Sequence, residues 1–109
     1  MKRIKFISIE QLLEMIENKD NFKLVEVLRE ERFREGHIPR AINIPVDQLE
    51  KAAKNKLKKT DKIVVYCASY TCHASTNAAK ILLNMGFKNV LDFKGSKKAW
   101  VDVGFELER

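Results

Sequence analysis

The segment that most constrains the fold runs from Lys62 to Gly86. It opens with Lys62-Ile63-Val64-Val65-Tyr66, an apolar run rich in β-branched residues that reads as a central strand. Cys67 ends the run and a short polar loop follows. From Ser75 to Asn84 the pattern becomes helical, with Ala78, Ala79, Ile81, Leu82 and Leu83 at the spacing of one apolar face. A strand that ends in a cysteine and feeds a helix through a loop is also a device for activating a thiol. Loop N–H groups and the positive end of the helix dipole both favour thiolate over thiol. Both cysteines of the chain, Cys67 and Cys72, lie here with His73, one of its two histidines. Chemistry is expected at this place before any other.

The remaining segments repeat the alternation. Ser8 and Gln11 form a capping box ahead of a helix whose apolar face is Ile9, Leu12, Leu13 and Ile16. Phe22 to Leu28 reads as a strand with one acid, Glu26, in apolar company. Glu30 to Glu35 is a short helical turn pinned by Phe33, and Gly36-His37-Ile38-Pro39 ends it with an expected left-handed turn at Gly36. Ala41 to Pro45 is extended, Asp47 to Asn55 helical with Leu49, Ala52 and Ala53 inward, and Asn89 to Phe93 a strand. Lys97 to Val103 is a last helix carrying Trp100 into the core, with Gly86 and Gly104 as terminators of the two C-terminal helices. Alternation of this kind predicts an α/β fold, a central mostly parallel sheet with helices on both faces. In such sheets working loops gather at the carboxyl ends of the strands, where Cys67 sits.

With 109 residues, four Gly and two Pro, no linker is visible, and residues 1–109 read as a single domain. The N-terminus is basic but no apolar stretch follows it, so neither a secretory signal nor a membrane span is expected and the cytoplasm is the default location. Two cysteines are too few for a secreted disulfide framework. A net charge of +6 favours anionic ligands or acidic surfaces. The basic run Lys51, Lys54, Lys56, Lys58, Lys59 and Lys62 has no interleaved aromatic residue, which reads as a solvated face rather than a nucleic-acid site. Cys67, Cys72 and His73 fall short of the four ligands of structural zinc, so no metal is expected.

Three stretches resemble the rhodanese-like, single-domain sulfurtransferase family. Leu24-Val25-Glu26-Val27 with Glu35-Gly36-His37-Ile38-Pro39-Arg40-Ala41-Ile42-Asn43-Ile44-Pro45 is similar to its first strand and Gly-His-Ile-Pro signature. Val64 to Cys67, continued to Met85-Gly86-Phe87, resembles its active-site strand, loop and helix. Lys94-Gly95-Ser96 with Trp100 and Gly104 resembles its C-terminal Gly-Gly and Ala-Trp signature. The resemblance implies that Cys67 is a nucleophile taking sulfane sulfur from thiosulfate, a persulfide or a polysulfide. It would become a persulfide and pass the sulfur to a thiol, cyanide or a protein acceptor, with no cofactor. The residues Ala68, Ser69, Tyr70, Thr71, Cys72 and His73 are then the substrate-binding loop. His37 and Pro39 would serve the turn rather than catalysis.

The loop departs from the family pattern. The usual cradle carries one or two Arg, whereas no Arg or Lys lies between Cys67 and Ser75. Leu28 stands where an Arg commonly follows the strand acid, and that acid is Glu26 rather than Asp. Such a loop suits a neutral or singly charged donor better than doubly charged thiosulfate. Cys72 reads either as a small packing residue or as a thiol that resolves the Cys67 persulfide. His73 reads either as a partial cation beside Cys67 or as a solvent-facing residue at the helix start. A catalytically weak binding or regulatory module on the same fold is the alternative function. A phosphatase or arsenate-reductase reading lacks its Arg clamp, since His73 stands six residues after Cys67.

Overall fold

The structure, a computed structural model, describes residues 3–109. Five strands, β1 (Lys5–Ile7), β2 (Lys23–Glu26), β3 (Ile42–Asn43), β4 (Lys62–Tyr66) and β5 (Asn89–Phe93), form one sheet in the order β1-β5-β4-β2-β3. Every pairing in it is parallel. The connections include helices α1 (Ile9–Glu17), α2 (Glu30–Glu35), α3 (Leu49–Lys56) and α4 (Ala74–Asn84), with α5 (Ser96–Asp102) after the last strand. A single 3-10 turn, Val46–Gln48, leads into α3, so the helix expected from Asp47 starts in a tighter winding.

The two-residue period of β4 divides the core. Ile63, Val65 and Cys67 face a layer that includes Leu49 and Ala53 of α3 and Ala78, Ala79 and Leu82 of α4. Val64 and Tyr66 face the opposite layer, with Leu12 of α1 and Trp100 of α5. Helices therefore cover both faces, and β4 is buried from Ile63 to Tyr66. Helix α1 begins as expected, with Ser8 Oγ accepting from Gln11 N at 3.1 Å while Gln11 Oε1 accepts from Ser8 N at 2.8 Å.

Two details differ from the sequence expectations. Strand β1 was unexpected: it is three residues at the sheet edge, Phe6 is more than half exposed, and no alternating pattern marks it. Gly36 has φ 163°, an extended conformation any residue adopts, so a left-handed turn is not its reason for being glycine. A Cβ there would lie 3.1 Å from Leu107 Cδ1, so Gly36 serves the close approach of the C-terminal segment. His37 then fastens that segment, exchanging 2.8 Å backbone bonds with Glu108 while its ring stacks on Phe33.

Gly86 does take the left-handed conformation, φ +99°. Phe87 N bonds to Leu82 O and Gly86 N to Leu83 O, both at 3.1 Å, which closes α4 in a Schellman motif. Gly86→Ala is expected to cost about 1–2 kcal/mol, the strain of a Cβ at positive φ. Denaturant unfolding checks this.

Candidate active site

The carboxyl end of β4 is clamped by the start of α5. Cys67 N donates to Ser96 Oγ at 2.9 Å, Lys97 N donates to Cys67 O at 3.3 Å, and Lys98 N donates to Ala68 O at 3.1 Å. The cysteine therefore leaves the sheet at a fixed angle, fully buried, with its side chain turned towards the loop. Its Sγ donates to Cys72 O at 3.4 Å.

The loop folds back over that sulfur. Cys72 N bonds to Ser69 O at 3.0 Å, closing a turn, and the Ser69 and Thr71 hydroxyls are 3.1 Å apart. Tyr70 and Thr71 are exposed, Ala68, Ser69 and Cys72 are half-buried, and His73 faces solvent at the start of α4 without capping it. Of the expected loop residues, Cys72 thus comes against Cys67 and His73 does not. Helix α4 starts one residue earlier than expected, at Ala74.

The two thiols are unequal. Burial pushes the Cys67 thiol up, and its hydrogen bond to the Cys72 sulfur adds to this, while the Ser75 hydroxyl and amide pull it down. Partial burial also works against ionising Cys72. The hydrogen bond from Cys67, the N–H groups of Ala74 and Ala68, and the charge of Lys94 together outweigh it, holding Cys72 below the ordinary thiol value. The loop N–H groups expected to converge on Cys67 are therefore divided, with Cys72 the better-supplied sulfur. Cys72 is thus the more acidic of the two thiols.

The expectation of a loop without a cation is corrected by tertiary structure. Lys94, one residue past β5, reaches over with Nζ 2.5 Å from Cys72 O. The missing Arg after Glu26 also has a replacement. Lys97 of α5 places Nζ 2.9 Å from Glu26 Oε2 and donates to Arg32 O at 3.0 Å. Tyr66 Oη donates to Glu26 Oε1 at 2.8 Å and accepts from Ile38 N at 3.1 Å. Burial still pushes the Glu26 carboxyl up, opposed by Lys97 and Tyr66. This network joins β2, β4 and α5 beneath the Cys67 end of the sheet. Asn43 adds to it, donating to Glu26 O at 3.1 Å and Leu28 O at 2.8 Å.

Sequence reasoning missed Lys94, Lys97, Ser75 and Ser96 as parts of this region. Only Lys94 and Ser96 carried a signal, as departures inside the C-terminal signature. Among the described residues no group of three or more His, Cys, Asp or Glu side chains is placed to hold a metal ion. Among them, too, no helix is long and apolar enough to cross a membrane.

A parallel α/β sheet with a loop-enclosed thiol at the carboxyl end of its central strand defines a class of small thiol-bearing domains. The profile of the rhodanese-like domain matches residues 8–102, and the chain belongs to that family. It is 34% identical over 97 residues to YtwF of Bacillus subtilis, described by inference as a sulfurtransferase, covering 89% of this chain and 90% of that protein. It is 28% identical over 94 residues to YrkF of the same organism, described by inference as a sulfur carrier protein, with 86% of this chain covered. The chain spans about half the length of YrkF. Among solved structures, BH2092 of Bacillus halodurans superimposes with a TM-score of 0.87 at 30% identity, covering 95% of this chain and 76% of that one. The rhodanese-like domain of Alr3790 from Anabaena gives 0.85 at 27% identity, covering 99% of this chain and 80% of that one.

Proposed function

We propose that this chain, acting as one domain, is a sulfurtransferase in which Cys67 carries sulfane sulfur as a persulfide. The observation that carries the reading is the Cys67 sulfur, held at the end of β4 against the first turn of α4 and the Cys72 side of the loop. The names of its relatives, which describe sulfur transfer and carriage, support it. Cys67 first gives up its proton to the neighbouring Cys72 thiolate. The Cys67 thiolate then attacks the outer sulfur of a donor, the donor S–S bond breaks, and the donor leaves as a thiolate that takes up the proton. An acceptor thiolate then attacks the terminal sulfur and restores Cys67.

The donor that suits this site is a singly charged persulfide or polysulfide. One cation, Lys94, stands at the loop, where the usual cradle carries arginines. A groove of about 570 Å³ between Tyr70, Lys94, Phe6 and Ile9 lies beside the loop, with neither cysteine in its lining, and has room for the organic part of a donor or acceptor docked at Lys94. A panel of thiosulfate, polysulfide and glutathione persulfide tests this. Turnover is expected with the last two and weak turnover with thiosulfate. Equal efficiency with thiosulfate contradicts the donor assignment.

Cys72 is proposed as the resolving thiol. Its thiolate attacks the inner sulfur of the Cys67 persulfide, hydrosulfide leaves, and a Cys67–Cys72 disulfide forms that a dithiol reductant reopens. After loading with polysulfide, Cys72→Ser is expected to release sulfide at least about tenfold more slowly than the parent, since its attacking thiolate is gone. Unchanged release and recycling refute the resolving role.

The burial of Cys67 favours a second reading, a rhodanese-fold binding module without turnover. Failure of every donor to add sulfur to Cys67 selects it.

A further inference from the structure

Two buried hydroxyls beside Cys67 have unusual circumstances. Ser96 has φ 59°, left-handed backbone that suits glycine, at the position where the C-terminal signature has its second Gly. It is fully buried. Its Oγ accepts from Cys67 N, and its single proton has three acceptors within range: Phe93 O at 3.1 Å, Lys94 O at 3.2 Å and Cys67 Sγ at 3.9 Å. Strained non-glycine residues persist where the surrounding structure over-determines them, often at functional sites. Ser75, in the first turn of α4, is also fully buried. Its hydroxyl makes no hydrogen bond to any group, and together with its amide it pulls the Cys67 thiol down against the effect of burial. A buried hydroxyl without a partner is costly to retain.

We propose that Ser75 and Ser96 form a neutral anion hole for the Cys67 sulfur, a site for a singly charged thiolate or persulfide built from hydroxyls in place of cations. When Cys67 loses its proton, the Ser96 hydroxyl turns from the carbonyls of Phe93 and Lys94 to the sulfur. The unpartnered Ser75 hydroxyl gains its acceptor at the same moment. Two neutral donors match one negative charge but leave the second charge of a thiosulfate unbalanced, so the same pair selects donors. That last consequence rests on the sulfur-carrier reading; the anion hole itself does not.

Other ionisable groups near the sulfur are Cys72 of the loop and, behind it, Lys94 past β5. The Lys97 ammonium of α5 is turned to Glu26, and the Asp92 carboxylate of β5 accepts from Thr76 of α4.

The test uses no sulfur donor. Alkylation by iodoacetamide is followed against pH, with fragment mapping to separate Cys67 from Cys72, in the parent, Ser75→Ala, Ser96→Gly and the double variant. The Cys67 profile is expected to move to higher pH in each single variant. In the double variant modification at neutral pH falls about tenfold or more, the effect of one pKa unit. Ser75→Ala removes the orphaned hydroxyl and is not expected to melt below the parent. Ser96→Gly relieves the backbone strain but leaves Cys67 N without its acceptor, so the melting temperature of each variant is measured beside its profile. A Cys67 profile in the double variant that superimposes on the parent's overturns the proposal. So does a change of equal size at both cysteines, which reports a loosened loop. Absence of any persulfide on Cys67, with the alkylation shift present, refutes the carrier reading and leaves the anion hole standing.

Discussion

Lys97→Met is expected to destabilise the protein by about 3–5 kcal/mol at neutral pH, the cost of leaving one member of a buried ion pair uncompensated. Glu26 is fully buried and Lys97 nearly so, with 2.9 Å between Nζ and Oε2. The carboxyl is already pushed above its ordinary value by burial, with Lys97 and Tyr66 opposing that push. Without Lys97 it rises further. A carboxyl whose folded value is raised binds its proton more tightly in the folded chain. Its unfavourable contribution therefore grows as pH rises from the unfolded value through the folded one. The destabilisation by Lys97→Met should accordingly shrink in acid, as Glu26 takes up a proton, and reach its full size above the variant's folded value. Adding Glu26→Gln to Lys97→Met removes the stranded charge and is expected to recover most of the loss. Denaturant unfolding of the four proteins of that cycle, at neutral and acidic pH, measures both effects. Strict additivity of the two substitutions would contradict the ion pair.

Cys67→Ser is expected to reduce sulfur transfer by about 10³-fold or more, the scale on which loss of a covalent nucleophile acts. A serine hydroxyl neither ionises near neutral pH nor forms the S–S bond that a persulfide requires. The same substitution should leave the fold intact. Serine replaces sulfur with a smaller atom, and the backbone clamps from Ser96, Lys97 and Lys98 do not involve the side chain. Transfer that survives in a folded Cys67→Ser protein removes Cys67 from the mechanism. Because Cys72 is more accessible and better supplied with N–H donors, sulfur can still attach there in this variant. Steady transfer to an acceptor, rather than bulk sulfur uptake, is thus the discriminating readout.

The elements written in local pattern were legible before the structure. The ends of β4 and β5 follow directly from the runs Lys62 to Tyr66 and Asn89 to Phe93, and α1 from its capping box. Strand β1 was not legible: it is held by pairing with β5, and its three residues lack an alternating pattern. Gly36 was misread because a backbone close approach and a left-handed turn leave the same letter in a sequence. The thiol at the strand end was legible, but its electrostatics were not. Lys94 is twenty-two residues from Cys72 and Ser96 twenty-nine from Cys67, so parallel pairing of β4 with β5 had to be in place before either could be seen beside the loop. The same distance hid Lys97, which supplies the charge that Leu28 does not, from the far side of the sheet.

The most direct test of Cys67 as sulfur carrier is the mass of the protein after a brief exposure to polysulfide and removal of the excess, with fragmentation to locate any added sulfur. One added sulfur atom on Cys67, lost on addition of an acceptor thiol, is the expected result. An unmodified Cys67 after treatment with every persulfide and polysulfide donor would contradict the account.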